Sequence, residues 1–177
     1  MLLILSLVAS IIFYACDGVS CKLTNDDKEY LYENGTEIKF LENGTDTVII
    51  TAETSFNIRD ESSAMGLPDL EKEETGSSIL YFNNNYRFGI HRIACADNVR
   101  FSLYQINENN NILHLSERVQ IDSVLAIPIT ILGGEYNNYY LIEKNDSANV
   151  IQTLYYAKEI GVLKIEFFNG YTLELIP

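Results

Sequence analysis

Short runs rich in Val, Ile, Tyr, Phe and Thr occur along most of the chain, and breaks containing Asn, Gly and Ser separate them. Runs of this composition are typical of β-strands, and the breaks are typical of turns. The pattern predicts strands near residues 29–33, 36–41, 46–53, 79–83, 86–95, 99–106, 111–115, 117–127, 136–143, 150–157, 161–168 and 171–176. We therefore predict an all-β or nearly all-β domain.

One segment near the start of this pattern admits two interpretations. Residues 24–27, Thr-Asn-Asp-Asp, could cap a short helix that runs through Tyr32. Tyr30 and Tyr32 alternate with differently facing neighbours, as they would in a strand. We prefer the strand, and two similar turns at 34–35 and 43–44 then predict a three-stranded meander in which Tyr30 lies opposite Ile38.

The last hairpin presents a choice between two registers. A two-residue turn at 169–170 is the ordinary reading of Asn-Gly, but it places Glu166 opposite Leu173 and mixes charged with apolar side chains on each face. A three-residue loop over 168–170 gives one continuous apolar face and needs Gly170 at positive φ. The loop predicts Phe167 opposite Tyr171, Ile165 opposite Leu173, Leu163 opposite Leu175 and Lys164 opposite Glu174.

Residues 53–78 are acidic and poor in the residue types that favour strands. Segments this long without secondary structure are usually functional or disordered. We predict a solvated acidic loop with one helical turn at 67–74. The alternative is a lid over a binding face, with Met65, Leu67 and Leu70 as its apolar contacts.

Residues 2–15 are almost wholly apolar. A helix that crosses a bilayer needs about 20 such residues, so this run is shorter than a membrane span and matches the hydrophobic region of an export signal. Export signals normally carry a cation before this region, whereas the first cation here is Lys22.

The end of the apolar run, Phe13-Tyr14-Ala15-Cys16, resembles the lipobox of bacterial lipoproteins. In that family the Cys thiol receives a diacylglycerol and becomes the new N-terminus after cleavage. The resemblance implies a signal peptide at 1–15 and lipid attachment at Cys16. Cleavage by an ordinary signal peptidase after Gly18 or Ser20 is the alternative.

The chain has three cysteines, Cys16, Cys21 and Cys95. An exported chain with an odd number of cysteines needs a use for the extra thiol. Lipidation of Cys16 leaves Cys21 and Cys95, and we predict that these two form a disulfide in an oxidising compartment, provided that their Cα atoms lie within about 7 Å.

Charge and motifs narrow the function further. The chain has 177 residues and a net charge of −13, so we expect no binding to nucleic acid or to anionic membranes. Known nucleophile, zinc, phosphate and dinucleotide motifs are missing from the sequence. His91 and Cys95 would be about 13 Å apart in one strand, too far for proton transfer. We predict no catalytic residue, no metal ligand and no cofactor.

Residues 155–166, Tyr-Tyr-Ala-Lys-Glu-Ile-Gly-Val-Leu-Lys-Ile-Glu, resemble the C-terminal hairpin of small exported lipoproteins of Bacteroidetes. Residues 31–40 resemble the opening strand of such domains, and residues 127–136 resemble their Pro-apolar segment with its following Gly and aromatic residue. Glu159 and Tyr136 depart from the common Gly and Trp. The resemblance implies an antiparallel curved sheet, half-barrel or sandwich-like, with at most one or two short helices, and it supplies no catalytic residues.

These observations predict a signal peptide at 1–15, a tether at 16–27 and a single β-rich domain at 28–177. We expect the protein to be exported to the bacterial cell envelope, on the outer membrane or a periplasmic face, and anchored at Cys16. Its function would be non-enzymatic, with the concave face of the sheet taking an apolar or amphipathic ligand such as a lipid, or an envelope-protein partner. The tyrosines that motivate this hypothesis are Tyr136, Tyr139, Tyr140, Tyr155 and Tyr156. The alternatives are a structural or assembly subunit of an envelope complex and a plain secreted protein.

Overall fold

A computed structural model of the chain describes residues 21–60, 72–82, 86–106, 111–144 and 151–177. These residues form one short helix and twelve strands. They are α1 (Asn25–Lys28), β1 (Glu37–Glu42), β2 (Asp46–Asp60), β3 (Lys72–Phe82), β4 (Tyr86–Ile93), β5 (Asn98–Ile106), β6 (Asn111–Gln120), β7 (Ile129–Ile131), β8 (Gly134–Tyr136), β9 (Tyr139–Glu143), β10 (Ile151–Ala157), β11 (Gly161–Phe167) and β12 (Thr172–Leu175). Within those ranges, none of the helical structure is long and apolar enough to cross a membrane. The predicted all-β class is confirmed.

Ten strands form one antiparallel sheet in the order β6-β5-β4-β3-β2-β1-β12-β11-β10-β9, and β7 and β8 form a separate hairpin. β12 pairs with β1, and this pairing joins strands β1–β6 and strands β9–β12 into one sheet. The two edges of the sheet approach each other. Lys144, just after β9, forms an ion pair with Glu117 of β6, and Leu125 and Tyr139 exchange main-chain hydrogen bonds of 2.8 and 3.2 Å. The sheet is therefore nearly closed into a barrel.

The inside of the curved sheet is occupied by the protein's own side chains. Strand residues alternate between the two faces, and the inward positions carry mainly Phe, Leu, Ile and Tyr. Phe40, Phe82, Phe88 and Phe101 are fully buried and form a chain of ring contacts, and the ring of Tyr156 lies 4.9 Å from that of Phe101. Among the described residues, the concave face is thus filled by the side chains of the hydrophobic core.

The register of the last hairpin is confirmed. Ile165 pairs with Leu173, and Lys164 pairs with Glu174. Gly170 has φ +84°, and its N–H donates to the carbonyl of Phe167 over 2.9 Å. Burial of the apolar side chains on β11 therefore determines the register of this hairpin, and the preference for a two-residue turn does not.

The predicted first strand, 29–33, is wrong. Residues 25–28 form α1, and Thr24 and Asp27 form a capping box, in which the Asp27 N–H donates to Thr24 Oγ1 over 3.1 Å and the Thr24 N–H donates to Asp27 Oδ2 over 2.8 Å. Leu23 and Asp27, which lie within the predicted tether, are buried. The capping residues at 24–27 are the sequence signal of this helix, and the alternation of Tyr30 and Tyr32 is the weaker signal.

The predicted acidic loop is wrong over 53–60 and 72–78, which belong to β2 and β3. The two strands pair without a register shift from Ala52–Leu80 to Asp60–Lys72. Main-chain hydrogen bonds form this ladder, so it does not depend on β-favouring side chains. The proposed lid contacts Met65, Leu67 and Leu70 lie outside the described residues.

The boundaries of three further strands also differ from the prediction. The two strands predicted at 111–115 and 117–127 are one strand, β6, which ends at Gln120. The strand predicted at 136–143 is divided between β8 and β9, and β7 was not predicted.

Candidate functional site

Two of the three cysteines among the predicted site residues lie in the described part of the chain. Cys16 lies outside the described residues. Cys21 and Cys95 form a disulfide with their Cα atoms 5.8 Å apart, a separation that a disulfide spans without distortion of the backbone. Cys21 also forms a parallel bridge with Glu73 of β3, and Cys95 lies in the turn between β4 and β5. The disulfide therefore attaches the start of the described chain to one end of the barrel.

A buried ion pair also attaches residues 21–36, which we call the N-terminal segment, to the barrel. Asp27 of α1 accepts from Arg92 of β4, with 2.5 Å between Oδ1 and Nη2, and both residues are buried. Arg92 Nη1 donates to the main-chain carbonyls of Ile93, Ala96 and Asn98. Burial opposes the charge on Asp27, but hydrogen bonds from Thr24 and the charge of Arg92 outweigh burial and lower the pKa of Asp27.

Three tyrosines connect this end of the barrel to the core. Tyr30 Oη lies 3.1 Å from Tyr140 Oη, Tyr140 Oη donates to the carbonyl of Ile121 over 2.9 Å, and Tyr156 Oη donates to the carbonyl of Tyr30. Burial raises the pKa of Tyr140 and Tyr156. Neutral phenols with satisfied hydrogen bonds inside a core stabilise the fold, so this network positions the N-terminal segment.

An open groove lies at this end of the barrel, between the N-terminal segment, the start of β1 and the end of β12. Its volume is about 1150 Å³. We call it the end groove. It is lined by Asn25, Lys28, Glu29, Leu31, Tyr32, Glu33, Asn34, Thr36, Glu37, Ile38, Lys39, Thr54, Phe56, Tyr136, Glu159, Ile160, Leu175, Ile176 and Pro177.

The end groove combines apolar surface with charged side chains. Leu31 and Tyr32 are half-buried, and Phe56 and Ile160 keep 48% and 43% of their surface exposed. Lys28 Nζ lies 5.6 Å from the centre of the Phe56 ring. This combination suits a molecule with an apolar part and a polar end.

The β2–β3 hairpin continues past the start of β1, because the pairing of β1 with β2 stops at Glu37 and Thr51. We call residues 56–60 of β2 and 72–76 of β3 the arm. Cys21 covers the β3 edge of the arm, since its N–H donates to the Lys72 carbonyl and its carbonyl accepts from the Glu74 N–H. On β2, the side chains of Phe56 and Ile58 are 48% and 61% exposed, the latter being among the most exposed large apolar side chains of the described residues.

The β2 edge of the arm is open. The main chain of Ala52 points toward β1, because it bonds to Gly35 and Thr36. Strand alternation directs the main-chain groups of Phe56 and Ile58 to the same side, where β1 has not yet begun. The described part of the chain supplies no hydrogen-bond partner to them.

His91 and Cys95 do not form a thiol site, because Cys95 is in the disulfide. His91 Nε2 lies 2.9 Å from Ser102 Oγ, and burial, with Arg100 and Arg87 nearby, lowers the pKa of His91. Across the described ranges no group of three or more His, Cys, Asp or Glu side chains could hold a metal ion.

Among the tyrosines proposed for binding, only Tyr136 lines the end groove. Tyr139, Tyr140 and Tyr156 are buried, and Tyr155 is half-buried with its ring 5.8 Å from that of Tyr139. The groove residues Leu31, Phe56 and Ile160 were not identified from the sequence. They come from three distant segments, so no local pattern links them.

No protein-family model matches the chain, and no curated protein or solved structure matches it either.

Proposed function

We propose that the protein is a non-enzymatic binding module that takes an apolar or amphipathic ligand in the end groove. The observation that carries this proposal is an open groove of about 1150 Å³ in which Leu31, Phe56 and Ile160 present apolar surface beside charged side chains. Its volume slightly exceeds the usual range for small-molecule sites, which is about 300–1,000 Å³.

We propose further that the protein is exported to the bacterial cell envelope and anchored through Cys16. The apolar run at 2–15 and the Ala15-Cys16 pair support this proposal. Mass spectrometry of the mature protein tests it. A diacylglyceryl group on Cys16 at the N-terminus is expected, and an unmodified N-terminus at Val19 or Cys21 would contradict anchoring.

Native mass spectrometry of the protein, released from detergent micelles in the gas phase, tests the binding proposal. We expect a bound lipid-like molecule, and the variant Ile160→Asp should lose most of it, because a carboxylate would then lie on the apolar wall of the groove.

Ile127→Asp is the matched control. Ile127 is also an exposed isoleucine, with 70% of its surface accessible, and it does not line the end groove. Equal loss of the bound molecule in both variants, or retention in both, would contradict binding in the end groove.

A further inference from the structure

The position of Cys21 limits where an anchor at Cys16 can lie. Five residue steps separate Cys16 from Cys21. A chain of that length spans at most about 18 Å. Cys21 is itself held in place by the disulfide to Cys95 and by its main-chain bonds to β3.

The arm lies beside this fixed point. Cys21 bridges Glu73 of β3, and Glu73 pairs with Arg59 of β2. Ile58 is the neighbour of Arg59, so its main chain is about two strand spacings, or ~10 Å, from Cys21. An anchor at Cys16 therefore keeps Ile58 within about 28 Å of the point of attachment.

The two large apolar side chains of the arm need an explanation. Phe56 and Ile58 lie on the face of β2 that continues from the core residues Ile50 and Ala52, but they lie past the start of β1, whose pairing with β2 stops at Thr51. Apolar side chains that project together from a protein surface mark an interaction site.

We propose that the arm faces the bilayer to which Cys16 is attached, and that Phe56 and Ile58 contact the boundary between lipid headgroups and acyl chains. This inference rests on the proposed anchoring. Apolar side chains that enter this boundary add to the membrane affinity of a lipid anchor. Because Phe56 also lines the end groove, the groove then opens toward the bilayer.

The chain contains no Trp, so a single introduced Trp reports its own surroundings. The test variant is Ile58→Trp. The control is Ile49→Trp, on the same strand and nearly as exposed, at 58% against 61%. Nine residue steps along the strand separate the two positions by about 30 Å. Phe56→Trp is the second test variant if Ile58→Trp does not fold.

Each lipidated variant is extracted, reconstituted into phosphatidylcholine vesicles and compared with and without brominated acyl chains. We expect a blue shift of the Ile58→Trp emission on reconstitution and loss of most of this emission with brominated lipid. The Ile49→Trp emission should change in neither respect.

Three other outcomes would overturn the inference, and they differ from one another. An unmodified Cys16 in the mass spectrum means that the proposed anchoring is wrong and that the orientation is wrong with it. A lipidated Cys16 with equal quenching at positions 49 and 58 leaves the anchoring intact and excludes the orientation. A blue shift of Ile58→Trp that depends on protein concentration in vesicle-free detergent means that a second copy covers the arm.

Discussion

At the scale of single residues, Gly161 shows how strongly one position can depend on its surroundings. It has φ +97°, and a Cβ added there would overlap the phenol oxygen of Tyr32. Tyr32 Oη in turn accepts the N–H of Val162 over 2.6 Å. The absence of a side chain at this position lets Tyr32 of the N-terminal segment reach the start of β11.

Gly161→Ala should therefore destabilise the protein more than Gly170→Ala. Gly170 also has positive φ, +84°, but a Cβ added there would meet nothing within 4 Å. The backbone strain is about 1–2 kcal/mol for each variant. Overpacking against Tyr32 adds a further ~1–3 kcal/mol for Gly161→Ala alone. Urea denaturation measures the difference, and equal losses would show that Tyr32 moves aside at no cost.

At the scale of elements, the hairpin of β11 and β12 depends on which side chains face each other. Lys164 Nζ lies 2.8 Å from Glu174 Oε1 across the strands and 2.9 Å from Glu166 Oε1 on its own strand. The cross-strand pair follows directly from the three-residue loop, whereas a two-residue turn would place Lys164 opposite Leu175.

A double-mutant cycle with Lys164→Gln and Glu174→Gln should give a coupling of about 0.2–1 kcal/mol. The coupling should decrease in high salt, since both side chains keep about a fifth of their surface exposed. A parallel cycle with Glu166→Gln measures the same-strand contact. If the cross-strand coupling is absent while the parallel cycle shows one, the assignment of Glu174 as the partner of Lys164 is wrong.

At the scale of the whole molecule, the N-terminal segment closes one end of the barrel through the disulfide and the pair of Asp27 with Arg92. The pair makes this closure sensitive to acid. The pKa of Asp27 is lowered below its ordinary value of 3.8, so the folded state binds this proton less readily than the unfolded chain does. The contribution of Asp27 to stability is complete above pH 3.8 and is lost as the pH falls through the lowered pKa.

Asp27→Asn should flatten the acid limb of the curve of unfolding free energy against pH, measured by urea denaturation from neutral pH downward. It should also lower the stability at neutral pH by about 3–5 kcal/mol, because Arg92 stays buried without its carboxylate partner. Asp26→Asn is the control, since the Asp26 side chain is 72% exposed in its ion pair with Lys158. An unchanged acid limb in Asp27→Asn would contradict a role for the pair.

Much of the sheet could be predicted because strand formation depends on residues close in sequence. The apolar row Leu163, Ile165 and Phe167 determined both the existence of β11 and its register with β12. The same reasoning failed at 53–60 and 72–78, where polar strands are held by main-chain pairing with each other. Local composition carries no information about such a partner.

The sequence by itself determined the all-β class, the register of the last hairpin and the two cysteines that the disulfide joins. Only the tertiary structure decided where an open groove forms. The Tyr-rich strands are largely used in packing the core, and the end groove is assembled from Leu31, Phe56, Ile160 and the end of β12. The alternation of buried and exposed positions along a strand can be predicted from the sequence of that strand. A groove at the end of a barrel depends on how distant segments meet after the sheet has curved.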